Sequence, residues 1–277
     1  MIGSPAATTR LVRSWHLATC LVLANLQTGV NATELEGYTE PLRTIEVASD
    51  ESGTVAEVLV KPGDAVEPGQ PLIRLDSQVH EAQLAIAKQQ MSSSGYLDAA
   101  KAELELARER WHRLQSLHTT GHARQSELSR AEKELKVAEA NVRTATEDLE
   151  TRRLEYERIA TQLKRRSIHA PVAGVVTELH KEAGEFVAPN RPEVLTLVQL
   201  DSLLANFTVM PFQAATLKEG QTITVRFIET RQASQGTVSF VSPVTDAESG
   251  SVLVQIRLDN TDRRYRSGQR CRIRLED

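Results

Sequence analysis

One short β-type pattern occurs twice in this chain, and a long stretch with a different pattern separates the two copies. The first copy contains Gly53, Gly63 and Pro68, and each has a counterpart 121 positions later: Gly174, Gly184 and Pro189. Glycine and proline in these runs predict tight turns around all four glycines. Because each copy is too small to bury a core of its own, we expect the two copies to close on one another as a single β-sandwich.

The intervening residues 77–166 carry a seven-residue repeat of apolar side chains. In the second half, one heptad position holds Leu128, Leu135, Val142, Leu149, Tyr156 and Leu163. The position three residues later holds Ala131, Ala138, Ala145, Arg152 and Ile159. Such spacing makes a seam that packs against a partner helix. With a looser version in the first half, it predicts an antiparallel coiled-coil hairpin whose arms are about 60 Å long.

Local signals mark the ends and the weak point of this hairpin. Asp76 or Ser77 is suited to cap the first helix, because either side chain accepts a bond from an unpaired amide. Residues 92–95 (Ser-Ser-Ser-Gly) interrupt the heptads, since serine and glycine are poor helix formers. Residues 119–122 carry the predicted turn, and Ser126 is the predicted cap of the returning helix.

The C-terminal part alternates apolar and polar residues in short runs, which is the pattern of half-buried strands. These runs are 203–210, 222–228, 237–242, 251–258 and 270–275. Five or six short strands predict a small closed antiparallel barrel, because closure removes exposed edges. The lead-in at 33–44 is a candidate for its closing strand.

The N-terminus has the parts of a secretory signal peptide. Arg10 and Arg13 precede a short apolar run at 15–26, and a small residue, Ala32, follows. We therefore expect residues 1–32 to be cleaved on export. The alternative is lipidation of Cys20; after cleavage, only Cys271 remains and no intramolecular disulfide forms.

Composition and motifs argue against enzymatic chemistry. The net charge of −4 does not favour nucleic acid as a partner. No phosphate-binding loop, nucleophile elbow or supported metal-ligand pair is present, so no catalytic residue, cofactor or metal is predicted. His118 and His122 are four residues apart, but they straddle the predicted turn and are interpreted as exposed tip residues.

Two segments resemble the halves of a biotinyl/lipoyl domain: residues 52–76 and 168–189, around Val60-Lys61-Pro62-Gly63-Asp64 and Ala170-Pro171-Val172-Ala173-Gly174. The cofactor-bearing lysine element of the carrier enzymes is absent, which argues against a carrier role. With the hairpin inserted and a barrel following, the chain resembles the periplasmic adaptors, or membrane fusion proteins, of resistance-nodulation-division efflux pumps. Leu258-Asp259-Asn260 and Ser267-Gly268-Gln269 extend the resemblance to the barrel.

The resemblance implies an elongated α+β protein, with a coiled-coil hairpin in a split lipoyl-like β-sandwich and a β-barrel after it. The expected divisions are 1–32 signal peptide, 33–44 lead-in strand, 45–76 first lipoyl-like half, 77–166 hairpin, 167–200 second half and 201–277 barrel. It also implies a homo-oligomer, a hexamer in the assembly, that is not itself a catalyst. This oligomer bridges an inner-membrane proton-driven transporter and an outer-membrane TolC-type channel, and exports toxic compounds.

The resemblance places the channel contact at the hairpin tip. Arg113 and Leu117 match the first two positions of the family's tip pattern, whereas the third is Arg124, with Ser126 two residues later. The competing interpretation makes Leu117 the last seam residue and Arg113 a solvated charge. No sequence for the membrane-proximal domain of longer members follows the barrel, so we expect the barrel alone or another adaptor subunit to contact the transporter.

Two other functions fit the same sequence features. One is an adaptor for an ATP-driven exporter or a type I secretion system, although those usually keep an N-terminal membrane helix. The other is a purely structural coiled-coil protein of the cell envelope. The class of the neighbouring transporter separates the first from the efflux adaptor, and a contact with a channel at the tip separates the second.

Overall fold

The computed structural model of the chain describes residues 33–275, so the predicted signal peptide and Cys20 lie outside the described residues. The strands are β1 Thr33–Ala48, β2 Gly53–Val58, β3 Ala65–Val66, β4 Pro71–Leu75, β5 Ser167–His169, β6 Gly174–Leu179, β7 Phe186–Val187, β8 Glu193–Val209, β9 Thr222–Phe227, β10 Ala233–Thr245, β11 Val252–Asp259 and β12 Arg270–Leu275. The helices are α1 Gln78–Ser92, α2 Gly95–Thr119, α3 Gln125–Arg165 and α4 Pro211–Ala214.

The two copies of the repeat form one sandwich, as the sequence predicts. Strands of the first copy pair with strands of the second, so that β2 pairs with β7, β3 with β6, and β4 with β5. Both copies contribute to one hydrophobic cluster, in which Leu72 and Ile73 from the first copy and Val176 from the second are fully buried. Neither copy completes this core without the other.

The four repeat glycines are of two kinds, and the prediction of turns at all four is corrected for two of them. Gly63 and Gly184 lie in turns with φ of +96° and +90°, where an L side chain is strained. Gly53 and Gly174 are instead the first residues of β2 and β6. A Cβ there would lie 2.4 Å from the guanidinium of Arg166, for Gly53, or 2.7 Å from a backbone oxygen, for Gly174. Close approach of neighbouring atoms, and not a turn, disfavours a side chain at these two positions.

The inserted segment is a helical hairpin in which α1 and α2 both pack along α3. The 41 residues of α3 correspond to a length of about 60 Å at about 1.5 Å per residue. Its alanine heptad position is the inner one, because Ala131, Ala138 and Ala145 are buried, whereas the leucine position is half-buried. The first arm is broken between Ser92 and Gly95, where the sequence predicts its weak point.

The base of the hairpin is tied to the sandwich by backbone hydrogen bonds and by one arginine. The amide of Leu75 donates to the carbonyl of Arg166 at 2.8 Å, and the amide of Asp76 donates to that of Thr54 at 2.8 Å. The buried Arg166 side chain donates from Nε to the Asp76 carbonyl at 2.6 Å. The N-cap of α1 is Ser77, one of the two predicted caps, but its side chain makes no capping hydrogen bond. The carboxylate of the preceding Asp76 accepts from the amide of Gln78 at 3.1 Å instead.

A six-stranded barrel follows the sandwich, in the order β1-β12-β9-β10-β11-β8, and pairing between β1 and β8 closes it. Strand β1 pairs with β12 over residues 33–38 and with β8 over 37–48. Strands β1 and β8 thus run from the barrel into the sandwich. Phe207, Phe227 and Cys271 lie in the barrel core. No helix within 33–275 is long and apolar enough to cross a bilayer.

Candidate docking site at the hairpin tip

Helix α2 ends in a hydrogen-bonded reversal that fixes the shape of the tip. The amide of His122 donates to the carbonyl of Leu117 at 2.8 Å, and the amide of Gly121 donates to that of His118 at 3.0 Å. These two bonds form a Schellman motif, which satisfies the last carbonyls of a helix. Gly121 has a φ of +79°, the left-handed conformation that this motif requires at that position.

Helix α3 begins two residues earlier than predicted. Its N-cap is Arg124, and Ser126 lies inside the first turn instead of capping it. The reason is Glu127, whose carboxylate accepts a hydrogen bond from the amide of Arg124 at 2.9 Å. A glutamate at the third helical position satisfies an unpaired amide and also interacts favourably with the N-terminal helix dipole. The sequence signal for this start is Glu127, three residues after Arg124.

The two histidines stabilise the turn. Nδ1 of His118 lies 3.0 Å from the carbonyl oxygen of Ala123, a distance at which the ring nitrogen donates. Nδ1 of His122 lies 3.2 Å from the hydroxyl of Thr120. Neither belongs to a group of three His, Cys, Asp or Glu side chains suited to a metal ion, and none was found within the described part of the chain.

The predicted docking residues are exposed at this end of the hairpin. Arg113 and Leu117 are one helical turn apart on the same face of α2, and 40% of Leu117 is accessible to solvent. Arg124 and Ser126 are exposed on the other side of the turn. The ion pairs found across residues 33–275 include neither Arg113 nor Arg124, whereas Arg110, one turn further from the tip, pairs with Glu134 at 2.9 Å.

This arrangement is suited to binding. An exposed leucine with an arginine one turn before it, and a second arginine across the turn, present an apolar contact and several hydrogen-bond donors. Arginine donates bonds to carbonyl or carboxylate groups across an interface. The candidate site therefore consists of Arg113, Leu117, Arg124 and Ser126, held by the turn at Gly121.

Comparison with known proteins identifies the fold family. Residues 43–198 match the family model of the CzcB-like barrel-sandwich hybrid domain, which covers more than half of the chain. Residues 205–277 match the CusB-like beta-barrel domain. This chain belongs to the periplasmic adaptor, or membrane fusion protein, family. The predicted family resemblance is confirmed.

Several curated relatives of this adaptor are export proteins by name. It is 30% identical over 200 residues to the macrolide export protein MacA of Escherichia coli O157:H7. The matched segment covers 71% of this chain and 53% of that relative. It is 26% identical over 245 residues to the cation efflux system protein CzcB of Alcaligenes sp. (strain CT14), and the match covers 88% of this chain and 44% of CzcB. The multidrug resistance protein MdtE of Escherichia coli (strain K12) is 26% identical over 242 residues, covering 82% and 60%. The adaptor thus spans about half the length of these relatives.

Solved structures support the same fold. The crystal structure of MacA from Actinobacillus actinomycetemcomitans superposes with a TM-score of 0.76 at 21% identity, covering 88% of this adaptor and 78% of that chain. The membrane fusion protein Spr0693 from Streptococcus pneumoniae R6 gives a TM-score of 0.57 at 16% identity, covering 88% and 99%. At these identities the likeness concerns the fold alone.

Proposed function

We propose that this protein is the periplasmic adaptor subunit of a tripartite efflux pump. It links an inner-membrane transporter of the resistance-nodulation-division type to an outer-membrane TolC-type channel, and it exports toxic compounds. It is exported by its signal peptide, works as a homo-oligomer, a hexamer in the assembly, and performs no catalysis itself. We propose the following divisions of the chain: 1–32 signal peptide, 33–44 lead-in strand, 45–76 first lipoyl-like half, 77–166 hairpin, 167–200 second half and 201–277 barrel.

One observation carries the proposal: exposed apolar and cationic side chains lie at the end of the hairpin. The tip has an exposed leucine and two arginines that take part in none of the ion pairs of residues 33–275, on a turn closed by two backbone hydrogen bonds. The membership of the chain in the adaptor family supports a channel as that partner.

We also propose that the two arms form a coiled coil. The buried alanines and half-buried leucines alternate at the spacing that lets side chains of one helix insert between those of the other. A seam of alanines brings helices close together. This makes the hairpin a thin, stiff spacer between the sandwich and the channel.

The test uses two leucines on the same helix. Leu117 and Leu106 are both exposed on α2, at 40% and 69%, but Leu106 lies eleven residues before Leu117 and away from the tip. In a strain lacking redundant pumps, Leu117→Asp is expected to reproduce the drug sensitivity of the deletion strain. Leu106→Asp, the matched control, is expected to restore resistance. Unchanged sensitivity after deletion of the whole protein would contradict the proposal.

The arginine contribution is tested in the same way. Arg113→Glu at the tip is expected to impair export, whereas Arg108→Glu, on another part of α2, is expected to have no effect. A photo-cross-linker placed at Leu117 should link to an outer-membrane channel, and one at Leu106 should not. Absence of such a link would favour the purely structural coiled-coil role. Mass spectrometry of the co-purified inner-membrane protein then separates a proton-driven transporter from an ATPase.

A further inference from the structure

Two arginines lie directly opposite one another on the outside of the barrel. Arg226 of β9 is in register with Arg272 of β12, and both strands alternate exposed and buried residues so that these side chains face outward. Like charges directly opposite each other in a sheet are destabilising. Such a pair therefore needs nearby negative charge.

The described residues supply negative charge to only part of this cluster. Arg272 contacts Glu36 at 2.6 Å and Glu34 at 3.5 Å, and Arg274 contacts Glu34 at 2.9 Å. Arg226 has no carboxylate within ion-pair distance anywhere in residues 33–275. Within that part of the chain, two carboxylates thus serve three guanidinium groups, and Arg226 is the one without an ion-pair partner.

These arginines line a cavity. Its volume is about 560 Å³, and strands β1, β9 and β12 form its walls together with the turn that follows α4. Thr222 and Thr224 add hydroxyl groups beside Arg226. Among the residues that the structure describes, the cavity is therefore a polar recess in which one guanidinium has no ion-pair partner, and it fits a carboxylate side chain.

An acidic loop lies at the same end of the barrel, on other strands. Residues 246–251 connect β10 to β11, and Val252, at the start of β11, pairs with the last residue of β8, Val209. The cavity is also at this end, since the last described residue of β12, Leu275, and the first residue of β9, Thr222, line it. In the barrel order, β10 and β11 are not among the three cavity strands.

The loop has a preformed shape with an outward carboxylate. Asp246 accepts hydrogen bonds from the amide of Ser249 at 2.7 Å and from the amide of Glu248 at 3.1 Å. These bonds from Ser249 and Glu248 hold the pKa of Asp246 below its ordinary value, with Ser249 as the larger cause. The Glu248 carboxylate is exposed and takes part in none of the ion pairs of residues 33–275. The loop therefore presents Glu248 without a large ordering cost.

We propose that the cavity around Arg226 receives the loop 246–251 of a second copy of this chain, with Glu248 pairing with Arg226. The cavity and the loop are different patches at one end of the barrel, so the contact is head-to-tail and repeats around a ring. A peripheral ion pair of this kind fixes register and partner choice more than affinity. The proposal rests on the proposed function, in which the adaptor works as a homo-oligomer.

Cysteine cross-linking in cells tests the contact with the full chain. One copy carries Thr224→Cys beside Arg226, and a co-expressed, differently tagged copy carries Ala247→Cys in the loop. A disulfide-linked pair of the two tags is the expected result. Each variant expressed alone should give no linked pair, because a head-to-tail contact does not bring identical positions together. No mixed pair, or equal pairing of identical positions, would overturn the proposal.

Charge variants then test the named ion pair. Arg226→Glu in the Thr224→Cys copy is expected to lower the linked fraction by about tenfold or more, because it places two carboxylates together. Glu248→Arg in the other copy should recover much of this loss, as coupled residues do in a double-mutant cycle. The matched controls reverse two exposed charges on the sandwich, Arg43→Glu and Glu182→Arg, and should leave the linked fraction unchanged. A linked fraction that is unchanged by Arg226→Glu would refute the pairing.

The same strains separate this proposal from the proposed function. If the mixed pair forms but deletion of the protein leaves drug sensitivity unchanged, the contact stands and the efflux role fails. If deletion raises sensitivity but no mixed pair forms, the efflux role stands and the contact fails.

Discussion

At the scale of single residues, similar sequence positions have different physical requirements. Gly53 and Gly174 match in the repeat, but different neighbours crowd them. At Gly53 the neighbour is a terminal nitrogen of the Arg166 guanidinium, at the far end of a long side chain, which can shift more easily than backbone although Nε of the same group is bonded to the Asp76 carbonyl. At Gly174 it is the backbone oxygen of Val198, which is held in the β6–β8 pairing. An added methyl group should therefore destabilise the fold less where the neighbouring atom can move and more where it is fixed.

We therefore expect Gly174→Ala to destabilise the protein by about 1–3 kcal/mol, the usual cost of overpacking, and Gly53→Ala by less. Urea titration followed by circular dichroism measures both. Gly95→Ala is the control, because no atom lies within 4 Å of the added Cβ and alanine is the better helix former. Equal losses at Gly53 and Gly174 would contradict this account.

Burial also controls the chemistry of Cys271. Burial raises the pKa of this thiol to about 12, and the nearby Glu229 carboxylate adds to the shift. A raised pKa means that the thiol stays protonated until the pH approaches that value, so the reactive thiolate is scarce at pH 8. Iodoacetamide at pH 8 should leave Cys271 unmodified in the folded protein and alkylate it in urea, as peptide mass spectrometry reports. Rapid labelling of the folded state would show that the barrel core opens.

At the scale of secondary-structure elements, the geometry of the hairpin depends on its turn more than on the exposed ion pairs of α3. The reversal at Gly121 has two backbone hydrogen bonds and a left-handed residue. Most of the ion pairs on α3 are exposed pairs three or four residues apart, such as Glu132 with Lys136 at 2.9 Å, and each contributes little. The thin alanine seam and the turn therefore set the hairpin's geometry.

Gly121→Ala is expected to destabilise the hairpin by about 1–2 kcal/mol, because alanine is strained at positive φ even though the added Cβ meets no atom. Gly121→Asn should cost less, since asparagine tolerates the left-handed conformation. Hydrogen exchange of the amides on either side of the tip measures the difference. Indistinguishable exchange in the two variants would argue that the turn is not the limiting element.

At the scale of the whole molecule, the hairpin is an insertion into a fold that closes without it. The chain leaves the sandwich after β4 and returns at β5, two strands that pair with each other. The Leu75 amide and the Arg166 carbonyl are 2.8 Å apart, so the two ends of the insertion lie together. The core of the sandwich contains residues of both halves and none of the hairpin.

Replacement of residues 78–165 by a short glycine-rich turn should leave the sandwich and the barrel folded. The β-type circular dichroism signal and cooperative unfolding are expected to persist, while helical signal and drug resistance are lost. The same deletion carrying Leu195→Asp, at a fully buried core position, is the control that should unfold. Loss of cooperative unfolding in the deletion alone would show that the hairpin is needed for folding.

The sequence by itself determined the division of this protein into a split sandwich, a helical hairpin and a barrel. Each of these features is a regular spacing that can be found along the chain: the repeat at an offset of 121 residues, the heptads and the alternating strands. Only the tertiary structure decided which distant residues meet. The placement of Arg166 against Gly53 and the register of Arg226 opposite Arg272 depend on how separate strands pair. No local pattern encodes that register, because it follows from the packing of the whole barrel and sandwich.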